Sequence, residues 1–415
     1  MPHALDPTPA LSDLRARAER ELVDDVLPFW EERAFDGDGW LAGTVRDDLT
    51  VDVEAPRHAV LASRILWTFA EAARADAGGE SQRWLAVART AHALVTGPFW
   101  DDEHGGVVWA LDADRRVVAD RKQVYAQAFT IYGLAAYARA AADDAALTRA
   151  LDLFALLEEY ARDRELGGYW EAHARDWSAL DDMALSDRDM NVPKSMNTNL
   201  HVLEAYSTLL DVSGDARVAE ALAALLDASL THIVHHEPWA FSALFFDAAW
   251  TSQVDTISYG HDIEGSWLLW EAYEALERAG AATPELERRT RHAALALAEA
   301  VRAHGVDADG SVMYEGDPDG VTNPEKHWWP QAEGVVGWLN AFQIGGRDAD
   351  LAAALNAWEF LDRHIVDHAG GEWWAQLDRD RRPMVEAEGS CRIGPWKCPY
   401  HNGRSCLEVM RRVAA

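Results

Sequence analysis

The sequence predicts an all-α fold, an (α/α)6 barrel of six helical hairpins with short β-hairpin-like connectors. Three observations predict it. Amphipathic patterns with apolar residues at i, i+3, i+4 and i+7 cover most of the 415 residues, and Ala is abundant. Short Gly–aromatic segments recur about 60 to 70 residues apart, and no extended apolar run suits a large sheet. An open solenoid of the same repeats is the alternative architecture.

The predicted helices follow one another along nearly the whole chain. Their patterns span residues 11–30, 58–76, 81–95, 123–143, 145–159, 197–212, 218–233, 262–279, 284–304, 333–345 and 351–364. Between residues 394 and 403, Pro395, Pro399 and Gly403 interrupt helical continuity, which predicts a loop. A last helix is then expected to begin at about Arg404.

One short connector accompanies each pair of helices. The connectors read GDGWLAG from Gly37, GGVVWALD from Gly105, GGYWEAH from Gly167, GSVMYEGD from Gly310, GGEWWAQLD from Gly370 and, as a degenerate member, PWAFSALFFD from Pro238. Six such units are typical of a closed helical array. Because no Pro-, Gly- or Ser-rich linker divides the chain, we predict one domain over residues 1–415.

The charge balance narrows the class of ligand. Asp and Glu number 70 against 38 Lys and Arg, a formal net charge of -32. This charge repels phosphate backbones and anionic lipids, so we expect no nucleic-acid partner and no membrane partner. The 19 Trp residues supply flat apolar faces that suit sugars, although Trp also fills cores. We therefore predict a small-molecule sugar substrate and a monomer or weak homodimer.

The sequence also predicts a cytoplasmic location. Residues 1–30 are acidic and lack an apolar core, so no signal peptide is expected, and no apolar run of about 18 residues occurs. The three cysteines, Cys391, Cys398 and Cys406, are odd in number, which argues against a disulfide scaffold and favours a reducing compartment. Their spacing lacks a CxxC pair, and a zinc site would need a fourth ligand.

Two polar groups of residues lie on predicted helices. Asn197, His201 and Glu204 are spaced i, i+4 and i+7 and therefore share one helical face. His261 and Glu264 are i, i+3 neighbours, so the carboxylate is placed to orient or charge the imidazole. A solvated face is the alternative for the first group. A metal is an alternative for the second, although di-metal helical sites use paired Glu-x-x-His motifs in the reverse order.

Two further groups combine tryptophan with polar side chains. The segment HWWPQAE from His327 offers two indole faces and the carboxylate of Glu333, which suits a sugar-binding wall, or else a helix start with Trp in the core. The segment GPWKCPYHNGR from Gly394 offers a stacking plate, a titratable base and a fixed cation in Trp396, His401 and Arg404. Loops on a rigid scaffold often carry chemistry.

These residue types favour proton transfer at carbon. The chain has no Gly-rich phosphate loop, no cofactor fingerprint and no G-x-S-x-G motif. Two His residues with pKa values near neutrality are suited to moving a proton off carbon and back, and an Arg with a third His to stabilising an enediolate. This chemistry is cofactor-free aldose epimerisation or isomerisation. A glycosidase would depend instead on two carboxylates, such as Glu264 and Glu333.

At these motifs the chain resembles the N-acylglucosamine 2-epimerase superfamily, and within it the cellobiose 2-epimerases. The motifs are RILWTF from Arg64, MNTNLHVLEAY from Met196, SYGHDIEGSWLL from Ser258, WWPQAE from Trp328 and WKCPYHNGR from Trp396. They occur in the expected order over about 340 residues. The resemblance implies an (α/α)6 barrel and a site without metal or cofactor.

The resemblance also implies roles for individual residues. His261 and His401 match the acid/base pair, and Glu264 matches the acid that supports the first of them. His201 and Arg64 match groups that bind the reacting end of the sugar and help ring opening. The matched substrate contacts are Asn197, Tyr125, Trp328, Trp329, Glu333, Trp396 and Arg404.

The implied reaction is 2-epimerisation of the reducing-end glucose of cellobiose or related β-1,4-linked disaccharides. His401 removes the C2 proton, Arg64 and His201 hold the cis-enediolate, and His261 returns a proton to the opposite face. A mannose 2-epimerase and an aldose–ketose isomerase such as mannose isomerase share this apparatus and stay open as alternatives. Pro330 and the segment 316–327 are expected to shape the pocket beyond the reacting sugar. A non-catalytic sugar-binding protein is a further alternative.

Overall fold

The computed structural model describes residues 8–187, 189–387 and 389–414, which are mostly helical. The helices are α1 Pro9–Arg20, α2 Leu27–Arg33, α3 Ala59–Arg74, α4 Ser81–Thr96, α5 Val124–Ala141, α6 Asp144–Leu156, α7 Met196–Ser213, α8 Ala216–Ala228, α9 Tyr259–Arg278, α10 Pro284–Ala300, α11 Trp328–Gly345, α12 Asp348–Phe360 and α13 Pro399–Arg412. A π-helical turn joins α1 to α2, and similar turns extend α6, α8, α10 and α12. No helix in these three ranges is long and apolar enough to cross a lipid bilayer.

The strands are short and belong to the connectors. They are β1 Thr44–Val45, β2 Val51–Asp52, β3 Arg57–His58, β4 Ala110–Leu111, β5 Val117–Ala119, β6 Lys122–Gln123, β7 Ala172–His173, β8 Lys194–Ser195, β9 Val234–His235, β10 Phe241–Ser242, β11 Phe245–Phe246, β12 Ile257–Ser258, β13 Glu315–Asp317, β14 Gly320–Asn323, β15 Lys326–His327 and β16 Gln376–Leu377. They form antiparallel sheets of two or three strands, as the hairpin-like connectors predicted.

Six helices form a closed ring at the centre of the molecule. Helices α3, α5, α7, α9, α11 and α13 each pack against the next, and α13 packs back against α3. Residues of these helices are buried on nearly every side, as in α5, where every residue from Val124 to Ala138 is buried. A helix that is apolar all round is stable only inside a protein. The intervening helices cover this ring from outside, where α4 packs on α3 and α10 packs on α9.

A two-residue strand leads directly into five of the ring helices, namely α3, α5, α7, α9 and α11. Each of these strands pairs with a strand of a later connector, in the pairs β3–β4, β6–β7, β8–β11, β12–β13 and β15–β16. Before α13, Ile393 bridges to Val45 and so joins the last connector to the first. The short sheets therefore lie at the N-terminal ends of the ring helices.

Buried lysine–carboxylate pairs fix these connectors to the ring. Lys122, Lys194 and Lys326 each donate to an Asp of the adjoining connector over 2.6–3.0 Å, and Lys397 donates to Glu372. Five residues after each lysine stands an amide side chain. The amide of Gln127 accepts a hydrogen bond from the N–H of Val107 and donates one to its C=O, both at 2.8 Å. Asn199 and Gln331 form equivalent hydrogen bonds with their own connectors. These contacts hold the start of each helix in place.

Two predicted helix starts were wrong. We expected helices from Glu333 and from about Arg404, but α11 begins at Trp328 and α13 at Pro399. Pro330 and Pro399 lie in first turns, where the missing N–H would have no helical partner anyway. His401 and Arg404 therefore lie on a helix rather than on a loop. The segment 316–327 contains all but the first residue of the β13–β14 hairpin, which pairs with β12 through β13.

Candidate active site

The ring helices bring one equivalent position together at the centre of the molecule. The position lies in the second turn of each ring helix. It is seven residues after the first residue of the strand that leads into the helix or, for α13, seven residues after Lys397. The six residues at this position are Arg64, Phe129, His201, Glu264, Glu333 and Arg404. Members from neighbouring helices lie close together, since Arg64 Cζ is 4.1 Å from the centre of the Phe129 ring, and the ring centres of Phe129 and His201 are 4.7 Å apart. Five of the six are predicted site residues.

Arg404 is the cation that binds the carboxylates at the centre of the ring. Its guanidinium donates to Glu204, Glu264 and Glu333, which come from α7, α9 and α11. All four side chains are buried. Burial alone would lower the pKa of Arg404, but the three carboxylates hold it well above its usual value. These acids bind both terminal nitrogens of Arg404, which gives it a positioning role, whereas its Nε is a buried donor without a hydrogen-bond partner among the described residues. The predicted contact between Arg404 and the substrate stays a prediction.

His401 of α13 is paired with Glu333 of the neighbouring helix α11. Its Nδ1 lies 2.7 Å from Glu333 Oε1, which also accepts from Arg404 at 2.7 Å, while Oε2 accepts from the indole N–H of Trp267 at 3.0 Å. A carboxylate acceptor places the proton on Nδ1 and leaves Nε2 as the free nitrogen. Burial, with the positive charges of Arg404 and Arg64, holds the pKa of His401 well below its usual value, so the ring is a neutral base.

His261 has a different partner from the predicted one. Its Nδ1 lies 2.8 Å from the hydroxyl of Ser258, whereas Glu264 bonds to Arg404. The expectation that Glu264 directly orients His261 was therefore wrong, because the guanidinium from α13 takes that carboxylate. Burial lowers the pKa of His261 to about 4, although the charge of Glu264 opposes the shift.

The indole of Trp329 connects the two histidines. Its ring centre lies 4.6 Å from that of His261 and 5.6 Å from that of His401. The two imidazoles come from different ring helices, α9 and α13, and reach the same aromatic side chain of α11. The structure thus brings the predicted acid/base pair together, although 140 residues separate them in the sequence.

His201 and Arg64 lie on the neighbouring side of the ring. His201 Nδ1 is 2.9 Å from Glu204 Oε2, and the His201 ring lies 5.0 Å from that of Tyr125. Arg64 donates to the hydroxyl of Tyr125 at 2.5 Å and lies 4.7 Å from the ring of Tyr400. Aromatic rings stabilise a guanidinium while leaving its edge available to an anion.

The remaining predicted contacts line the same region. Trp396 is half-buried, 6.0 Å from the ring of Tyr125 and 6.2 Å from that of Trp109. The buried Trp328 lies 6.2 Å from His401. In the described part of the chain, the side-chain oxygen of Asn197 and Oε2 of Glu264 are buried acceptors without a hydrogen-bond partner. Such acceptors suit sugar hydroxyls.

One group of side chains has the composition of a metal site. Ligand atoms of Glu264, Glu333 and His401 lie within 4.8 Å of one another. The Arg404 guanidinium, however, donates into both carboxylates of this group. A fixed organic cation thus already stands where these acids would face a metal ion.

Sequence reasoning missed two residues of this site, Ser258 as a partner of His261 and Tyr400 as a partner of Glu204. It placed Glu204 on the same face as His201 but did not identify the two as a hydrogen-bonded pair. A repeat signal was available. Six short segments can be aligned, namely KQVYAQ, KSMNTN, ISYGHD, KHWWPQ, KCPYHN and RHAVLA. In this alignment the six central residues share one position, two residues after the end of each segment. Tyr400 then falls at the same position as Tyr125, Asn197 and Trp329.

Comparisons with known proteins agree with the resemblance. A family model described as N-acylglucosamine 2-epimerase (GlcNAc 2-epimerase) matches residues 42–393. The cellobiose 2-epimerase of Bacteroides fragilis is 38% identical over 96% of this chain and 98% of its own length. That of Ruminococcus albus is 35% identical over 95% of this chain and 97% of its own length.

Solved structures show the same fold. The structure of the cellobiose 2-epimerase of Bacillus thermoamylovorans B4167 superposes with a TM-score of 0.89 at 32% identity and covers 97% of this chain and 100% of that one. A D-mannose isomerase structure has a TM-score of 0.80 at 19% identity, over 98% of this chain and 99% of that one, and so shares the fold.

Proposed function

We propose that this chain, which belongs to the N-acylglucosamine 2-epimerase family, is a carbohydrate epimerase acting on the reducing-end aldose of cellobiose and related β-1,4-linked disaccharides. The reaction inverts C2 from glucose to mannose configuration through a cis-enediolate, without a cofactor. Relatives named cellobiose 2-epimerase, 32–38% identical over nearly the full chain, support the disaccharide substrate. We also infer that the ring is the inner layer of an (α/α)6 barrel forming one domain.

The observation that carries this proposal is the placement of His261 and His401 against Trp329. Inversion needs a proton to leave one face of C2 and another to arrive at the opposite face. The two imidazoles approach one indole from different helices, at 4.6 and 5.6 Å between ring centres. That arrangement suits a sugar carbon held between two bases.

The chemistry proceeds by proton transfer alone. After ring opening, Nε2 of His401 removes the C2 proton, while Glu333 accepts from its Nδ1 and stabilises the imidazolium that forms. The electron pair moves toward O1, where the guanidinium of Arg64 stabilises the enediolate oxygen, and His201 holds the same end of the sugar. His261, whose lowered pKa makes its protonated form a strong acid, takes up a proton from solvent and gives it to the opposite face of C2. Exchange with solvent then returns both histidines to their starting states.

A hydrolytic function has less support from the same geometry. A glycosidase needs one carboxyl as a proton donor and a second as nucleophile or base. Glu264 and Glu333 both accept from the single guanidinium of Arg404, and Glu333 also accepts from Trp267. Both carboxyls are therefore partners of one fixed cation, which does not suit the separate acid and nucleophile or base of a glycosidase.

The test is a product analysis with four sugars. Cellobiose, lactose, glucose and mannose are incubated separately with the protein, and the products are separated and identified by NMR. We expect a disaccharide with mannose at its reducing end from cellobiose. Turnover of the monosaccharides alone would favour a mannose 2-epimerase, a ketose product would favour an isomerase, and released glucose would favour a hydrolase.

A further inference from the structure

We propose that Glu204 and Tyr400 are positioning residues that fix the tautomer of His201 and so make it the acid/base of sugar ring opening. The inference rests on the proposed function, because only an aldose that opens its ring can lose the C2 proton to a base. Neither residue belongs to the acid/base pair at C2.

The contact between His201 and Glu204 defines the tautomer. Nδ1 of His201 lies 2.9 Å from Oε2 of Glu204, three residues later on α7, and both side chains are buried. An ionised carboxylate only accepts hydrogen bonds, so the proton resides on Nδ1. Nε2 is then the nitrogen with a free lone pair.

Tyr400 and Arg404 keep Glu204 in its ionised form. The Tyr400 hydroxyl lies 2.5 and 2.6 Å from the two oxygens of Glu204, and Arg404 donates to one of them. Burial alone would raise the pKa of Glu204, but the charge of Arg404 and the hydrogen bonds of His201 and Tyr400 lower it to about 2. Glu204 is therefore an acceptor throughout the neutral range.

Ring opening is a step that such an imidazole can perform. The proton of the anomeric hydroxyl must leave and the ring oxygen must gain one, and one group that accepts and then donates can serve both transfers. Nε2 of His201 does both when Nδ1–H stays bonded to a carboxylate that stabilises the imidazolium in between. The opposite tautomer, with its proton on Nε2, cannot accept the anomeric proton.

Two substitutions and one matched control test the inference. Glu204→Gln offers Nδ1 an amide that stabilises the wrong tautomer, whereas Tyr400→Phe removes one hydroxyl. The control is Tyr132→Phe. The Tyr132 ring lies 6.3 Å from that of Tyr400, and the Tyr132 hydroxyl makes no hydrogen bond to Glu204 in the described contacts. Enzyme-catalysed exchange between the α and β anomers of cellobiose is measured by NMR, alongside epimerisation and thermal unfolding.

We expect Glu204→Gln to slow both anomer exchange and epimerisation by on the order of 10² to 10⁴. Tyr400→Phe should slow both by about tenfold, in kcat rather than KM, because Glu204 keeps its contacts with Arg404 and His201. Tyr132→Phe should stay within twofold of the wild type. His261→Asn should abolish epimerisation yet retain anomer exchange, which separates ring opening from chemistry at C2.

Several results would overturn the inference. Anomer exchange at the wild-type rate in folded Glu204→Gln or in Tyr400→Phe would show that the pair does not serve ring opening. If Glu204→Gln does not fold, Tyr400→Phe decides alone. Wild-type protein that exchanges anomers without inverting C2 would refute the proposed function and leave this inference standing, whereas wild-type protein that does neither would refute both.

Discussion

Glu333→Gln separates the catalytic use of a buried carboxylate from its structural use. Glu333 Oε1 accepts from His401 at 2.7 Å and from Arg404 at 2.7 Å, and Oε2 accepts from Trp267 at 3.0 Å. Glutamine has nearly the same shape and keeps one oxygen as acceptor, but it carries no charge to stabilise an imidazolium. We therefore expect a large loss of activity and a small loss of stability.

The activity loss follows from the role of His401. An improperly supported general base costs on the order of 10² to 10⁴ in rate, which corresponds to about 3 to 5 kcal/mol of barrier. Stability should change by about 1 kcal/mol, because Arg404 keeps Glu204 and Glu264 as partners. Arg404→Met is the contrasting variant, since it leaves three buried carboxylates without their cation and should cost about 3 to 5 kcal/mol.

The assay pairs initial rates of cellobiose epimerisation with thermal and urea unfolding of both variants. The reasoning would be refuted by Glu333→Gln protein that retains more than about a tenth of wild-type kcat/KM. It would be refuted equally if Glu333→Gln and Arg404→Met lost the same stability, because the charge of the cluster would then not depend on Arg404.

Three further predictions concern other parts of the molecule. Activity should not change in excess EDTA, because the guanidinium of Arg404 already donates to both acids that could hold a metal; full loss restored by a divalent ion would contradict this. Trp396→Ala should raise KM for cellobiose several-fold, since this half-buried indole offers a stacking face beside Tyr125, and unchanged kinetics would assign Trp396 to the core. Burial and the charge of Asp25 raise the pKa of Glu21 from 4.5 to about 8, so the folded state binds its proton more tightly than the unfolded state does. The free energy of unfolding should therefore fall between about pH 5 and 8, by on the order of 3 kcal/mol, and the fall should shrink in Glu21→Gln; an identical pH dependence in both proteins would oppose the assignment.

The sequence predicted the helices well because their signals are local. Most predicted spans agree with the helices to within a few residues, since apolar spacing is read over a few turns. The errors arose at the starts of α11 and α13, where Pro330 and Pro399 occupy first helical turns; of these two prolines, Pro399 had been interpreted as a helix breaker. A proline breaks a helix in its interior but is tolerated in its first turn, and only the surrounding connector decides which position it occupies.

The pairing of acids with bases was less predictable because it depends on distant helices. His201 and Glu204 are three residues apart and do pair, whereas His261 and Glu264 have the same spacing and do not. The difference is Arg404, which reaches Glu264 from a helix 140 residues further along the chain. Likewise Glu333 and His401 are separated by 68 residues. Helical spacing therefore shows which groups share a face, and tertiary packing decides which of them bond.

The most direct test of the two-base account is deuterium exchange at C2 in single-histidine variants. Wild-type protein, His261→Asn and His401→Asn are incubated with cellobiose in D2O, and C2 labelling of the starting sugar and of its epimer is measured by NMR and mass spectrometry. We predict a wild-type epimer with one deuterium at C2, and His261→Asn protein that labels cellobiose without forming the epimer, because His401 still removes and returns the proton on one face. His401→Asn should do neither, with both variants folded and epimerisation reduced by on the order of 10² or more. Near-normal epimerisation by either variant would contradict the account, because one imidazole would then serve both faces of the carbon.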